Sequence, residues 1–136
     1  MRKFLSTAYT DAGFNIGTFL MRVVLGFMMI FHHGIPKIAN FSEWQHSFYN
    51  LFHIGSRWSL VMSILAEVFA SMFFILGLFS RVAALLLVMD LGVAIFLYHK
   101  NNPISRFEDA ILFFVGAGFI LIVGPGKYSI DALTGR

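Results

Sequence analysis

The sequence predicts an all-α integral membrane protein, a four-transmembrane-helix bundle with a short amphipathic helix in its first loop. Two observations carry this. The chain of 136 residues is 58% hydrophobic and only 12% charged, where soluble domains carry about 25% charged residues. Its apolar residues also fall into four long runs, and a bilayer core about 30 Å thick needs about 20 apolar residues in a helix. Backbone polar groups in lipid must be satisfied internally, so such runs are helical. A mean hydropathy of +0.78 and 17 Phe agree. One transmembrane domain, residues 1–136, accounts for the length. Disorder and solubility as a monomer are excluded.

The first span is placed at 14–33, where His33-Gly34-Ile35-Pro36-Lys37 supplies Gly and Pro as a stop. The second, 58–79, and third, 82–99, meet at a tight turn around Ser80-Arg81. The fourth, 108–124, follows the polar Lys100-Asn101-Asn102-Pro103 and ends at Gly124-Pro125-Gly126. Between the first two spans, Phe41, Trp44, Phe48 and Leu51 recur at helical spacing beside polar Glu43, His46, Asn50 and His53. This reads as an interfacial helix over 41–54. The start of the chain lacks the small-residue cleavage site of a signal peptide.

Four spans put both ends of the bundle on one side. With that side cytoplasmic, Arg2, Lys3, Arg81, Lys127 and Arg136 are inside, and Lys37, Arg57, Lys100 and Arg106 outside. Five against four favours cytoplasmic termini. All five histidines then gather at the other face. The scattered basic residues give no nucleic-acid signal.

Arg22, Glu67 and Asp90 fall about eight to ten residues into their spans, and an ionisable group at mid-bilayer costs about 2.5–3.5 kcal/mol. They are expected to meet inside the bundle, Arg22 bridging the two acids. Two readings stay open: a ligand or proton site, and a staple that holds the helices. His33, His99 and Glu108 extend the candidate path toward the histidine-rich mouth. With no Cys, thiolate metal sites, iron–sulfur clusters and dithiol exchange are excluded. No His-Glu-x-x-His spacing occurs. His33 and His99, the only plausible haem pair, sit near span ends. No metal is expected.

Several motifs resemble the DoxX family of small four-helix membrane proteins: Arg22 with Leu25-Gly26, His33-Gly34-x-x-Lys37, Glu67, Gly77-Leu78-Phe79-Ser80-Arg81, His99, Glu108 and Gly124-Pro125-Gly126-Lys127-Tyr128-Ser129-Ile130-Asp131. The last is the most specific. Asp90 is less typical of the family. The resemblance covers residue 16 to the end. It implies a bacterial inner membrane protein, an accessory or membrane subunit linked to quinone-dependent redox or oxidative-stress processes. Quinone is the implied small molecule and a redox enzyme the implied partner, since this chain has no redox group of its own. Distant relatives that act as membrane chaperones make a non-enzymatic scaffold or assembly role the alternative. A small transporter or lipid-binding protein, which would need a homo-oligomer, is the third. Within the tail, Arg81 and Asp131 share a side and are expected to clamp it against the turn between the second and third spans.

Overall fold

A computed structural model describes residues 8–135. Arg2, Lys3 and Arg136, used in the orientation count, lie outside the described residues. The described residues form helices, turns and loops. Three helices are long and apolar enough to cross a membrane: α1 (Asp11–Ala39), α3 (Ser56–Leu76) and α4 (Ser80–Tyr98). Between the first two lies the short α2 (Phe41–Trp44). A fourth long helix, α5 (Glu108–Val123), has 16 residues. It packs along α4, and the one-turn α6 (Ile130–Leu133) follows.

The first helix begins earlier and ends later than its predicted span. Thr10 caps its start by accepting the Gly13 N–H at 3.1 Å. Gly34 and Pro36 do not stop it. The helix widens into a π turn over Met29–Gly34, closing with Ile35 N–H to Ile30 C=O. Such local widening lets a transmembrane helix pass a proline that lacks an N–H. Gly34 is instead a point of close approach, because a Cβ there would run into the Val68 side chain and lie near the Glu67 backbone. The extra turns carry Lys37 back to the bundle, away from the loop to which the sequence assigned it.

The amphipathic helix expected over 41–54 is broken. Helix α2 ends at Trp44, and Leu51–His53 form a single 3-10 turn with Phe52 and His53 at positive φ. Local side chains redirect this backbone. Asn50 Oδ1 accepts the Gly55 N–H at 2.7 Å, and Ser59 Oγ accepts the Leu51 N–H at 2.9 Å. The segment therefore folds back onto the start of α3.

The core is assembled from small and aromatic residues. Ala83, Ala84, Leu87 and Leu91 of α4 pack with Phe107 and with Ala110, Phe113, Ala117 and Ile120 of α5. Small residues allow helix backbones to approach closely, which matters where lipid removes any hydrophobic drive between helices. The outer surface is apolar, with Phe27, Phe31, Phe69, Phe73 and Phe96 all exposed. Both π turns further along, Leu65–Ala70 and Ala94–Tyr98, fall inside the apolar spans.

Candidate functional site: two polar centres at different levels of the bundle

The expected meeting of Arg22 with Glu67 and Asp90 does not occur. Arg22 is 0% exposed, and its guanidinium donates to the backbone. Nη1 reaches Phe74 C=O at 3.2 Å and Ile75 C=O at 3.0 Å, and Nη2 donates to Tyr128 C=O. The reason is local. Gly77, at φ 67, ends α3 and leaves its last carbonyls without helical partners. A guanidinium with five donors satisfies such carbonyls better than a distant carboxylate can. The C-terminal carbonyls also form the negative end of the helix dipole, which favours a cation there.

The tail completes this first centre. Asn15 Oδ1 accepts the Lys127 N–H at 2.7 Å, and Ser129 Oγ donates to Gly126 C=O at 2.7 Å. Asp131 is buried at the start of α4, where Oδ1 accepts the Phe79 N–H at 2.8 Å. Its Oδ2 accepts the Ser80 N–H and the Ser80 hydroxyl, both at 2.7 Å. Asp131 N–H in turn donates to Gly77 C=O at 2.9 Å. These partners fix the tail against the α3–α4 turn. Arg81 stands exposed at the same helix start. The tail thus lies across the beginning of α1, and both ends of the described bundle share one side.

The second centre is built around Lys37, which the stop signals at Gly34 and Pro36 place beyond the first span. Lys37 forms an ion pair and a hydrogen bond with Glu67 Oε1. Its Nζ also donates to Ser63 Oγ at 2.7 Å. Ser63 and Glu67 are four residues apart and share one face of α3. Asp90 of α4 stands beside Ser63 and Glu67 in the field of Lys37. Glu67 is 3% exposed, and its Oε2 receives no donor among the described residues. The Phe48 ring lies 5.5 Å from Lys37 Nζ, so the first loop covers the ammonium. A contact between Tyr49 and Tyr98, ring centroids 6.0 Å apart, ties that loop to the end of α4.

The remaining candidates surround this second centre without joining it. His33 Nε2 is 3.4 Å from Asp109 Oδ2, and its ring meets Phe113 edge-on. His99 pairs with the Asn102 amide at 3.0 Å and stacks on Phe107. Glu108 is exposed at the first position of α5. Among the described residues no three His, Asp or Glu side chains converge as metal ligands.

Apolar spanning helices with charged groups sealed between them define an integral membrane protein. The DoxX family model matches residues 17–100, and the chain belongs to that family. The match contains Arg22, Lys37, Glu67 and Asp90. Comparisons with curated proteins and with solved structures gave no match.

Proposed function

We propose that the chain crosses the bilayer four times and works as a membrane subunit or accessory protein in quinone-linked redox or oxidative-stress processes. Its working site is the Lys37–Ser63–Glu67–Asp90 cluster. Arg22 is the staple that holds the tail-side end. Helix α5 is about 24 Å long at 1.5 Å per residue, and the flanking Phe107 and Gly124-Pro125 complete a fourth span. The charge count favours cytoplasmic termini and the family resemblance implies a bacterial inner membrane, which together put the cluster toward the outer face.

The observation that carries this reading is the ion pair of Lys37 with Glu67, with Asp90 alongside, inside a lipid-facing bundle. Intramembrane ionisable groups are costly and mark ligand or proton sites by default. The chemistry of the cluster suits a quinone head group. Lys37 has three N–H donors and spends two on Ser63 and Glu67. The third is available to a carbonyl oxygen beneath Phe48. A bound quinone would supply the electron-carrying chemistry, and a partner protein the electrons. This chain's residues orient the head group and hold protons, with His33, His99 and Glu108 on the same side as the route to water.

The test is gentle solubilisation followed by native mass spectrometry and lipid extraction. A stoichiometric quinone on the native protein, lost in Lys37→Ala while the fold persists, is expected. Protein that carries only bulk lipid contradicts the reading. The three carbonyl bonds of Arg22 favour the scaffold alternative for the tail-side end. A scaffold would co-purify with a membrane partner and be indifferent to Lys37→Ala.

A further inference from the structure

The second centre gathers four side chains from three helices. Lys37 of α1 donates to Glu67 Oε1 and to Ser63 Oγ, both on α3. Asp90 of α4 stands beside them in the field of Lys37, and the last link of the cluster is between its carboxyl and that of Glu67. That last link has no hydrogen if both acids are ionised, because a carboxylate only accepts. Glu67 Oε2 is correspondingly buried with no donor among the described residues. The carboxyl pair is one hydrogen short.

The charge count reaches the same number. Two carboxylates facing one ammonium leave a net charge of −1 between apolar helices. One hydrogen on the carboxyl pair makes the cluster neutral and supplies the missing link at once. The charged and titratable groups facing the pair are Lys37 on α1 and, beyond it, His33, which pairs with Asp109 of α5. The nearest cation is therefore already engaged by Glu67 and Ser63, and among the described residues no second ammonium or guanidinium pairs with either acid.

We propose that Glu67 and Asp90 form a dedicated proton-binding site, one exchangeable proton shared between the two carboxyls and held in place by Lys37 and Ser63. Phe48 and the first loop cover the ammonium on its open side. The site takes a proton from, or gives it to, a ligand or water that reaches Lys37. This deepens the quinone-linked reading and rests on it only for the use made of the proton. Its presence is independent of any quinone.

Amide substitutions test the site cleanly, since each replaces the acid by a group of similar shape that supplies the missing hydrogen permanently. Asp90→Asn donates to Glu67, and Glu67→Gln donates to Asp90 while its carbonyl still accepts from Lys37. The experiment is infrared spectroscopy of the purified full chain in H2O and D2O. The native protein should show a protonated-carboxyl C=O band that shifts on deuteration. Either single substitution should abolish it completely, because the proton is shared and counted once. If Glu67→Gln does not fold, Asp90→Asn reads the same band. Absence of such a band from the native protein, or its survival in Asp90→Asn, overturns the proposal. A monovalent cation between the carboxyls would give that first, negative result. Failure of the quinone extraction with the band present would remove the ligand and leave the proton site standing.

Discussion

Arg22 and Lys37 stand on the same helix and serve two different levels of the bundle. Arg22 binds the closing carbonyls of α3 and the tail, and Lys37 binds Glu67 near the middle of α3. Their separation along α1 is roughly 20 Å at 1.5 Å per residue. The two helices run antiparallel, with Gly26 against Ser71 and Ile75, and Gly34 against Glu67 and Val68. Each cation therefore meets a different level of α3. The intramembrane charges divide into two separate centres, one around Arg22 and one around Lys37 and Glu67.

Removing Arg22 should cost the bundle heavily. Arg22→Met leaves the carbonyls of Phe74, Ile75 and Tyr128 without their donor, and buried hydrogen bonds to a charged group are worth about 1.5–3 kcal/mol each. A stability loss of about 3 kcal/mol or more is expected in detergent unfolding, with the tail released. Retention of native stability would contradict the staple role.

Asp131 caps α4 through Phe79, Ser80 and the Ser80 hydroxyl. Loss of a cap costs about 0.5–2 kcal/mol, so Asp131→Ala should lower stability by about that amount. It should also speed tryptic cleavage after Lys127, whose N–H is held by Asn15 in the native fold. Equal cleavage rates in both proteins would mean the tail is fixed elsewhere.

Gly77 has φ 67, and a Cβ there would collide with Arg22 Nη1 and Ser129. A non-glycine residue in the left-handed region costs about 1–3 kcal/mol. Gly77→Ala should therefore destabilise by at least that much and weaken the Arg22 contacts along with it. Asn, which tolerates this conformation better, relieves the backbone cost but not the collision. Thermal unfolding should rank native above both variants.

Lys37→Met leaves Glu67 as a buried charge without its partner, a change that costs about 3–5 kcal/mol. Adding Glu67→Gln to that variant removes the uncompensated charge, and the double variant should regain part of the lost stability. A double variant less stable than Lys37→Met would contradict the pairing.

The membrane class and three apolar helices were readable because bilayer thickness and hydropathy set them directly. The α3–α4 turn was readable in Gly77 and Ser80-Arg81, and Asp131 on that side was visible in the tail motif. Its hydrogen-bond partners were not, because N–H groups at a helix start carry no side-chain signature. Lys37 was hidden by punctuation. Gly34 and Pro36 signal a stop, and only the π turn over Met29–Gly34 carries the helix past them. The bridging role given to Arg22 assumed that buried charges seek each other. It overlooked the carbonyls left open at the end of α3 by Gly77. The interfacial helix failed at Asn50, Leu51 and Ser59, where side-chain hydrogen bonds compete with helical ones.

The most direct test of the division into two centres is a pair of double-mutant cycles on stability. One combines Lys37→Met with Glu67→Gln, the other Arg22→Gln with Glu67→Gln. Residues in one ion-pair network couple by about 0.5–3 kcal/mol, whereas distant sites add within about 0.5 kcal/mol. Coupling of Glu67 to Lys37 above about 1 kcal/mol is predicted, with coupling to Arg22 inside the additive limit. Strong coupling of Glu67 to Arg22, with none to Lys37, would return the charges to a single cluster and contradict the account.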